Sequence, residues 1–317
     1  MQNHPVTRLS AIVPATNSPP TLAACRAALE AAVEAGDEVI VVEEAGGPGP
    51  ASARNAGAER AGGDVLVFVD ADVVVHSDAL DRIRRAFASD DALDALFGSY
   101  DDAPAADGLV SGFRNLLHHH VHQTSRGPAT TFWAGLGAVR KAAFEAEGGF
   151  DAARYPEPSV EDIELGMRLV ASGRRIELDP AIQGTHLKAW TVASMLRTDF
   201  ARRGVPWVEL LLERGGSASA LNLGWRHRLS AAAAVSGAVA LIAGRPRPAL
   251  GAAAALVLLN ADFYALLGRR LGPRGAAAGV GLHALHHLAG AAAIPAGALR
   301  YWTSATSRSA STVSPSS

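Results

Sequence analysis

This 317-residue chain has one cysteine, Cys25, so no internal disulfide can form and the protein fits a reducing compartment. Its formal net charge is only -2, so it has none of the basic excess that marks a nucleic-acid partner, and none is expected. Met1 to Arg8 carries His4, Pro5 and Arg8 but no apolar signal-peptide core, which leads us to expect that the N-terminal part stays in the cytoplasm. The glycine run Gly46-Gly47-Pro48-Gly49 lacks the spacing of a dinucleotide-binding fingerprint, which disfavours a nicotinamide or flavin enzyme. Between Leu229 and Leu299 acids almost vanish, with Asp262 the only one.

The first part of the chain alternates strand and helix signals. Leu9 to Val13 reads as a strand ending at Pro14, and a helix follows over about Pro20 to Ala35. Glu38 to Val42 reads as a second strand, closed by Glu43-Glu44. A helix over Ala51 to Ala61 stops at Gly62-Gly63, and a third strand, Val65 to Val69, runs into Asp70-Ala71-Asp72. This βαβ rhythm implies a Rossmann-like, mostly parallel sheet in an α/β fold.

The junction after Val69 is the most informative place. Side-chain alternation along a strand puts Asp70 and Asp72 on one side as the strand leaves the core. Open α/β sheets bind ligands at such carboxyl ends, and two carboxylates there suit a hard cation holding phosphates. The bland alternative is a pair of turn-forming acids. A second acidic cluster, Glu161-Asp162, opens an amphipathic helix with Pro156 and Pro158 just before it. Ser159 with Asp162 three residues on also fits a capping box, so a capping role and a catalytic one both stand.

Taken in order, the first strand with Pro14, Glu43-Glu44, Ala53-Arg54-Asn55-Ala56-Gly57, Asp70-Ala71-Asp72, Gly148-Gly149-Phe150-Asp151 and Glu161-Asp162 resemble the family 2 glycosyltransferases of GT-A fold. The likeness covers roughly residues 9 to 210. It implies that Pro14, Glu43, Glu44, Arg54, Asn55 and Asp70 border a nucleotide-diphosphate sugar, with Glu43 or Glu44 on the base. It implies that Asp72 and His186 hold Mg²⁺ or Mn²⁺, that Asp162 is the catalytic base, and that Trp133, Gly135 and Glu161 lie on the acceptor side. Lys188 would help neutralise the diphosphate, and inversion at the anomeric carbon follows from the same likeness. The run Arg202-Arg203-Gly204-Val205-Pro206-Trp207 lacks the Gln-X-X-Arg-Trp of processive relatives, which argues against a cellulose- or chitin-type polymerase. Two other readings are a nucleotidyltransferase, which would need a basic, Gly-rich loop where Ala15-Thr16-Asn17-Ser18 stands, and a non-catalytic nucleotide-sugar-binding scaffold at the membrane.

The cluster His118, His119, His120 and His122 does not share one face of an element, so a four-histidine metal site is not expected; an acceptor-pocket lining or a solvated or interface segment are the open alternatives. Downstream, Leu229 to Ala243 is short for a membrane span, whereas Pro248 to Gly268 and Ala276 to Leu299 are long enough. A buried helical hairpin is the alternative. If all three span, Arg226, Arg228, Arg269, Arg270 and Arg274 lie on the catalytic side, with Arg245, Arg247 and Arg300 opposite, a bias agreeing with a cytoplasmic catalytic domain. His283, His286 and His287 share one helical face, toward lipid headgroups or another helix. The expected organisation is a GT-A domain over 1–215, a helical membrane region of two to three helices over 216–300, and a disordered tail over 301–317. The expected partners are a sugar donor, a lipid or glycan acceptor, and the cell membrane.

Overall fold

Val65–Val69, five consecutive buried apolar residues, forms a central strand of one mixed sheet. The computed structural model describes residues 7–215 and 224–311, which divide into two compact units, Met1–Ala189 and Trp190–Ser317. In the first unit the chain runs β1 (Leu9–Pro14), α1 (Leu22–Ala32), β2 (Glu38–Val42), α2 (Gly49–Arg60), β3 (Val65–Val69), β4 (Val73–Val75), α3 (Ala79–Ser89) and β5 (Ala95–Tyr100). It continues through α4 (Leu109–Gln123), β6 (Gly127–Ala129), β7 (Leu136–Arg140), α5 (Lys141–Ala146), α6 (Glu161–Ala171) and β8 (Ile176–His186).

The strand order is β2-β1-β3-β7-β5-β8-β4, with β6 paired to β8. β1 is parallel to β2 and to β3, as expected, but β7 is antiparallel to both of its neighbours, β3 and β5. The sheet is therefore mixed rather than mostly parallel. The reversal has a physical use. Because β7 opposes both neighbours, β5 runs in the direction of β3, and β8 is parallel to β5. The carboxyl ends of β1, β2, β3, β5 and β8 thus share one edge.

One close approach fixes the helix that carries Asp162. α6 lies against the Thr131–Phe132 segment at Gly166, where a Cβ would stand 2.6 Å from the Thr131 carbonyl carbon. The N-cap residue of this helix is Val160, not Ser159, and its side chain makes no capping hydrogen bond. Instead the Ser159 amide donates to Glu161 Oε2 at 2.8 Å.

The second unit contains α7 (Val192–Arg197), a π-helical segment (Thr198–Gly204), α8 (Val205–Arg214), α9 (Trp225–Ile242), α10 (Pro246–Leu259) and α11 (Ala261–Ser311). α7 opens with a reciprocal cap, Ser194 N donating to Thr191 Oγ1 at 3.1 Å and Thr191 N to Ser194 Oγ at 2.9 Å. The expected uninterrupted span Pro248 to Gly268 is broken at Asn260. Its side-chain amide donates to Ser230 Oγ and to the Leu256 carbonyl, each at 2.8 Å, so a polar group is satisfied between apolar helices. Among the described residues one helix, Ala261–Ser304, is long and apolar enough to cross a membrane, where two to three were expected. It bends at Gly272, whose φ is 73°, just before Pro273, which has no amide to give to the helix ladder. The backbone stays helical to Ser311 where disorder was expected from Tyr301, because extending a nucleated helix costs little; residues 312–317 lie outside the described residues.

His283, His286 and His287 face neighbouring helices. His286 Nδ1 lies 2.8 Å from Asp199 Oδ2 in the π-helical segment, Tyr264 Oη lies 2.9 Å from His283 Nδ1, and the His287 ring packs 4.5 Å from that of His227 on α9. The acid that sequence alone did not place near these histidines is Asp199.

Gly166→Ala is expected to push α6 from its seat and to destabilise the protein by about 1–3 kcal/mol, the usual cost of overpacking a close contact. Urea unfolding of the purified variant measures it, and an unchanged midpoint would remove this contact as the constraint on α6.

Candidate active site

The shared edge of the sheet collects residues far apart in sequence. Pro14 ends β1, Glu43 and Glu44 follow β2, Asp70 follows β3, Tyr100 ends β5 and His186 ends β8. Glu43 and Glu44 are exposed, as are Thr16, Asn17 and Ser18 beside Pro14. A crevice outside the carboxyl ends of parallel strands is where α/β sheets take ligands.

Asp70 and Asp72 reach this edge by a turn rather than by strand alternation. Val73 N donates to the Asp70 carbonyl at 2.9 Å, closing a tight turn, so the two side chains part company. Asp70 Oδ1 accepts from Arg54 Nη2 at 2.7 Å. Asp72 Oδ2 lies 3.6 Å from His186 Nε2, an ion-pair contact slightly too long for a hydrogen bond. Burial acts to raise the Asp72 carboxyl, but His186 and Lys188 outweigh it and hold it below the usual carboxylate range.

Arg54 is 4% exposed, not part of a solvated helix surface. Besides Asp70 it grips Glu161 Oε1 through Nη1 at 2.9 Å. Burial alone would lower the Arg54 guanidinium; Asp70 and Glu161 more than offset that and hold it fully charged. Glu161, expected on the acceptor side, is itself buried, with one oxygen on Arg54 and the other on the Ser159 amide. Asn55 is likewise turned inward: its amide donates to the Phe150 carbonyl at 2.8 Å and its oxygen accepts from Phe150 N at 2.9 Å. It clasps the Gly148–Gly149 turn, where both glycines have φ above 70°, a region that favours glycine.

Asp162 is half-buried at the N-terminus of α6. Its Oδ2 accepts from the Ala134 amide at 3.2 Å and its Oδ1 from the Ile163 amide at 2.8 Å, so backbone donors fix the carboxylate. Trp133, beside Ala134, is packed inside instead of offering an open face, with its ring over Gly135: a Cβ there would lie 2.7 Å from the indole nitrogen. Tyr100 was not singled out by sequence reasoning. Its ring stacks on His186 at 4.2 Å with planes 8° apart. The one signal was its place at a strand–acid junction, Tyr100-Asp101, like Val69-Asp70.

Two donors, Asp72 and His186, stand together; among the described residues no three His, Cys, Asp or Glu side chains form a metal-holding group on their own. That set fits a hard divalent cation of the kind held by one or two protein ligands and completed by substrate phosphates and water.

Comparison with known proteins agrees with this geometry. Residues 23–147 match the family described as Glycosyl transferase family 2. Among solved structures, the chain is similar to the mannosyltransferase PcManGT from Pyrobaculum calidifontis in complex with GDP-Man and Mn²⁺, with a TM-score of 0.53 and 18% identity over 90% of this chain and 86% of that one. Weaker likenesses are to GalNAc-T7 with UDP, GalNAc and Mn²⁺ (TM-score 0.46, 14% identity, 66% of this chain, 48% of that one) and to S. aureus TarS 1–349 (0.41, 15%, 88% and 90%). A search of curated protein sequences finds no match. The mixed sheet with its ligand edge is the GT-A fold. The match over residues 23–147 and the shared fold together support a glycosyltransferase.

Removing the buried cation should be costly. Arg54→Met leaves Asp70 and Glu161 facing each other unpaired, and a loss of about 3–5 kcal/mol in stability is expected, part of it recovered in Arg54→Met/Glu161→Gln. A single variant as stable as wild type in urea would show the bridge to be dispensable. Cys25 gives a second check. Burial, with Asp70 and Asp72 nearby, pushes its thiol up to about 12, so at pH 8 it is neutral. Iodoacetamide should label it only after unfolding, where a thiol titrates near about 8.5; native labelling at the unfolded rate would contradict the burial.

Proposed function

We propose that this protein is a membrane-associated, metal-dependent, inverting glycosyltransferase that moves a sugar from a nucleotide-diphosphate donor to a lipid or glycan acceptor at the cytoplasmic face of the cell membrane. The observation that carries the reading is the gathering of Pro14, Glu43, Asp70, Asp72 and His186 at one sheet edge, in a chain whose residues 23–147 match family 2 and whose second acidic pair presents Asp162. Membrane association is supported by the apolar helix Ala261–Ser304, and a lipid-borne acceptor is the substrate for which tethering raises local concentration.

The donor nucleotide rests along the loop after Pro14, with Glu43 or Glu44 accepting hydrogen bonds from the base and Asp70 facing the ribose. Asp72 and His186 hold Mg²⁺ or Mn²⁺, and Lys188 adds a positive charge toward the diphosphate. When bound, such a cation supplies charge neutralisation of the departing nucleoside diphosphate. The chain's own part in the chemistry is proton removal. An acceptor hydroxyl is a weak nucleophile, and Asp162, whose carboxylate is fixed by the Ala134 and Ile163 amides, accepts its proton as attack proceeds. Attack from the face opposite the diphosphate inverts the anomeric carbon. Arg54 and Asn55, buried in contacts of their own, hold the site together and leave the donor to the exposed loop and Glu pair.

A panel of nucleotide sugars with Mn²⁺ or Mg²⁺ tests this. Wild type should release nucleoside diphosphate from one donor, Asp162→Asn should lose about 10²–10⁴-fold in turnover, and Asp72→Asn should lose metal-dependent activity. Turnover surviving both substitutions would overturn the site assignment. If wild type binds a nucleoside diphosphate with metal yet never turns over, the scaffold reading takes its place.

A further inference from the structure

The histidine run on α4 is a sequence feature that neither donor binding nor proton removal uses. The structure gives it a place. His119 Nδ1 lies 2.9 Å from the Tyr100 carbonyl and His122 Nδ1 lies 2.8 Å from the Gly98 carbonyl, so α4 is fastened to the last residues of β5. Gly98 sits where the pairing of β5 with β8 shifts register between Phe97 and Ser99. Beyond that shift Tyr100 pairs with Gly184, two residues before His186. The Tyr100 ring is then held on two sides. His186 stacks on it at 4.2 Å with planes 8° apart, and His118 packs on it at 4.2 Å with planes 35° apart. Trp133 meets Tyr100 edge-on at 5.0 Å and His118 at 4.4 Å. His122 packs on His118 at 3.9 Å and meets Trp133 edge-on at 5.3 Å.

We propose that Tyr100 and His118 are positioning residues of the transfer reaction, forming a stack that fixes the His186 imidazole opposite Asp72; this rests on the reading of Asp72 and His186 as the cation ligands. An imidazole whose Nε2 must face a carboxylate 3.6 Å away has two torsions to lose before it can share a cation with it. The commonest way of orienting a ligating histidine is a hydrogen bond through its other ring nitrogen. Here the orienting contact is a flat aromatic face. Its near-parallel stacking restricts the tilt of the imidazole, and His118 prevents the Tyr100 ring from yielding. Trp133 extends the effect: its neighbour Ala134 donates to Asp162, so one aromatic cluster underlies both the cation side and the base side of the site. His118, His119 and His122 are thereby explained as a clamp on the end of β5.

The test compares Tyr100→Leu, Tyr100→Phe, His118→Leu and His186→Ala in the full chain. One readout is Mn²⁺ binding in the presence of nucleoside diphosphate, followed by electron paramagnetic resonance, and the other is the Mn²⁺ concentration for half-maximal turnover. Loss of an orienting partner costs a metal site about 10–100-fold in affinity. Tyr100→Leu and His118→Leu should weaken Mn²⁺ binding by about tenfold or more while donor KM at saturating metal changes little; Tyr100→Phe, which keeps the ring, should return binding to within about twofold. Adding Tyr100→Leu to His186→Ala should weaken binding no further, since both act through one ligand. A melting temperature for each variant separates loss of fold from loss of orientation. A metal-responsive wild type whose Mn²⁺ binding is unmoved by Tyr100→Leu, or additive effects of Tyr100→Leu and His186→Ala, overturns the positioning role alone. A wild type that binds no Mn²⁺ with any nucleoside diphosphate overturns the cation reading, and the positioning role with it.

Discussion

A guanidinium in the interior of the sheet unit needs more than one partner, and the arrangement around Arg54 answers that requirement. Two carboxylates, Asp70 from the end of β3 and Glu161 from the start of α6, meet it at 2.7 and 2.9 Å. Either pairing alone would balance the charge but leave most of the five guanidinium donors without a partner in a desolvated place. Together they tie three elements, α2, β3 and α6, to one planar group whose fork geometry fixes directions as well as distances. Asp72 lies two residues past one end of this bridge and Asp162 is the neighbour of the other. The relative placement of Asp72 and Asp162 is therefore set through Arg54.

The sheet supplies the other constraint. One reversed strand, β7, makes β5 and β8 run with β1, β2 and β3, so five carboxyl ends open on one edge. The same strand begins just after the Trp133-Ala134-Gly135 turn, which carries the amide that holds Asp162 and the carbonyl that accepts from Asp70 N at 3.1 Å. Gly135 and Gly166 are glycines for a steric reason: the indole ring crosses the first, and the Thr131–Phe132 backbone crosses the second. Small residues at these two places let large neighbours approach the site closely.

The helical unit follows different rules. Its helices are apolar and Ala-rich, yet polar groups are placed inside with partners: Asn260 on Ser230, Tyr264 on His283, and His286 on Asp199. Breaks in the helices coincide with residues that cannot continue them or that bond elsewhere, namely Gly272 before Pro273 and the inward-turned Asn260. Stretches that read as continuous apolar runs are in this way cut into shorter helices.

Local chemistry was enough to place much of this protein. Val65–Val69 is a strand because five apolar residues in a row bury themselves in a sheet, and Glu38–Val42 and the start of α6 at Glu161 followed from equally local signals. The order of the motifs pointed to the family that residues 23–147 match and to the fold. The sheet's reversed strand was not legible, since β7 and its neighbours are far apart in the chain and direction is decided only by pairing. Nor was the inward turn of Arg54, Asn55 and Glu161: a charged or amide side chain on a helix looks the same in sequence whether it faces water or a buried partner. Tyr100 escaped notice because stacking on His186 joins residues on different strands. Sequence by itself determined which residues carry charge, breaks and apolar runs, and hence the fold class and the acids of the site. Tertiary structure alone decided which of those acids are neutralised internally and which are not, because that depends on distances of a few ångströms between groups as far apart in sequence as Asp72 and His186.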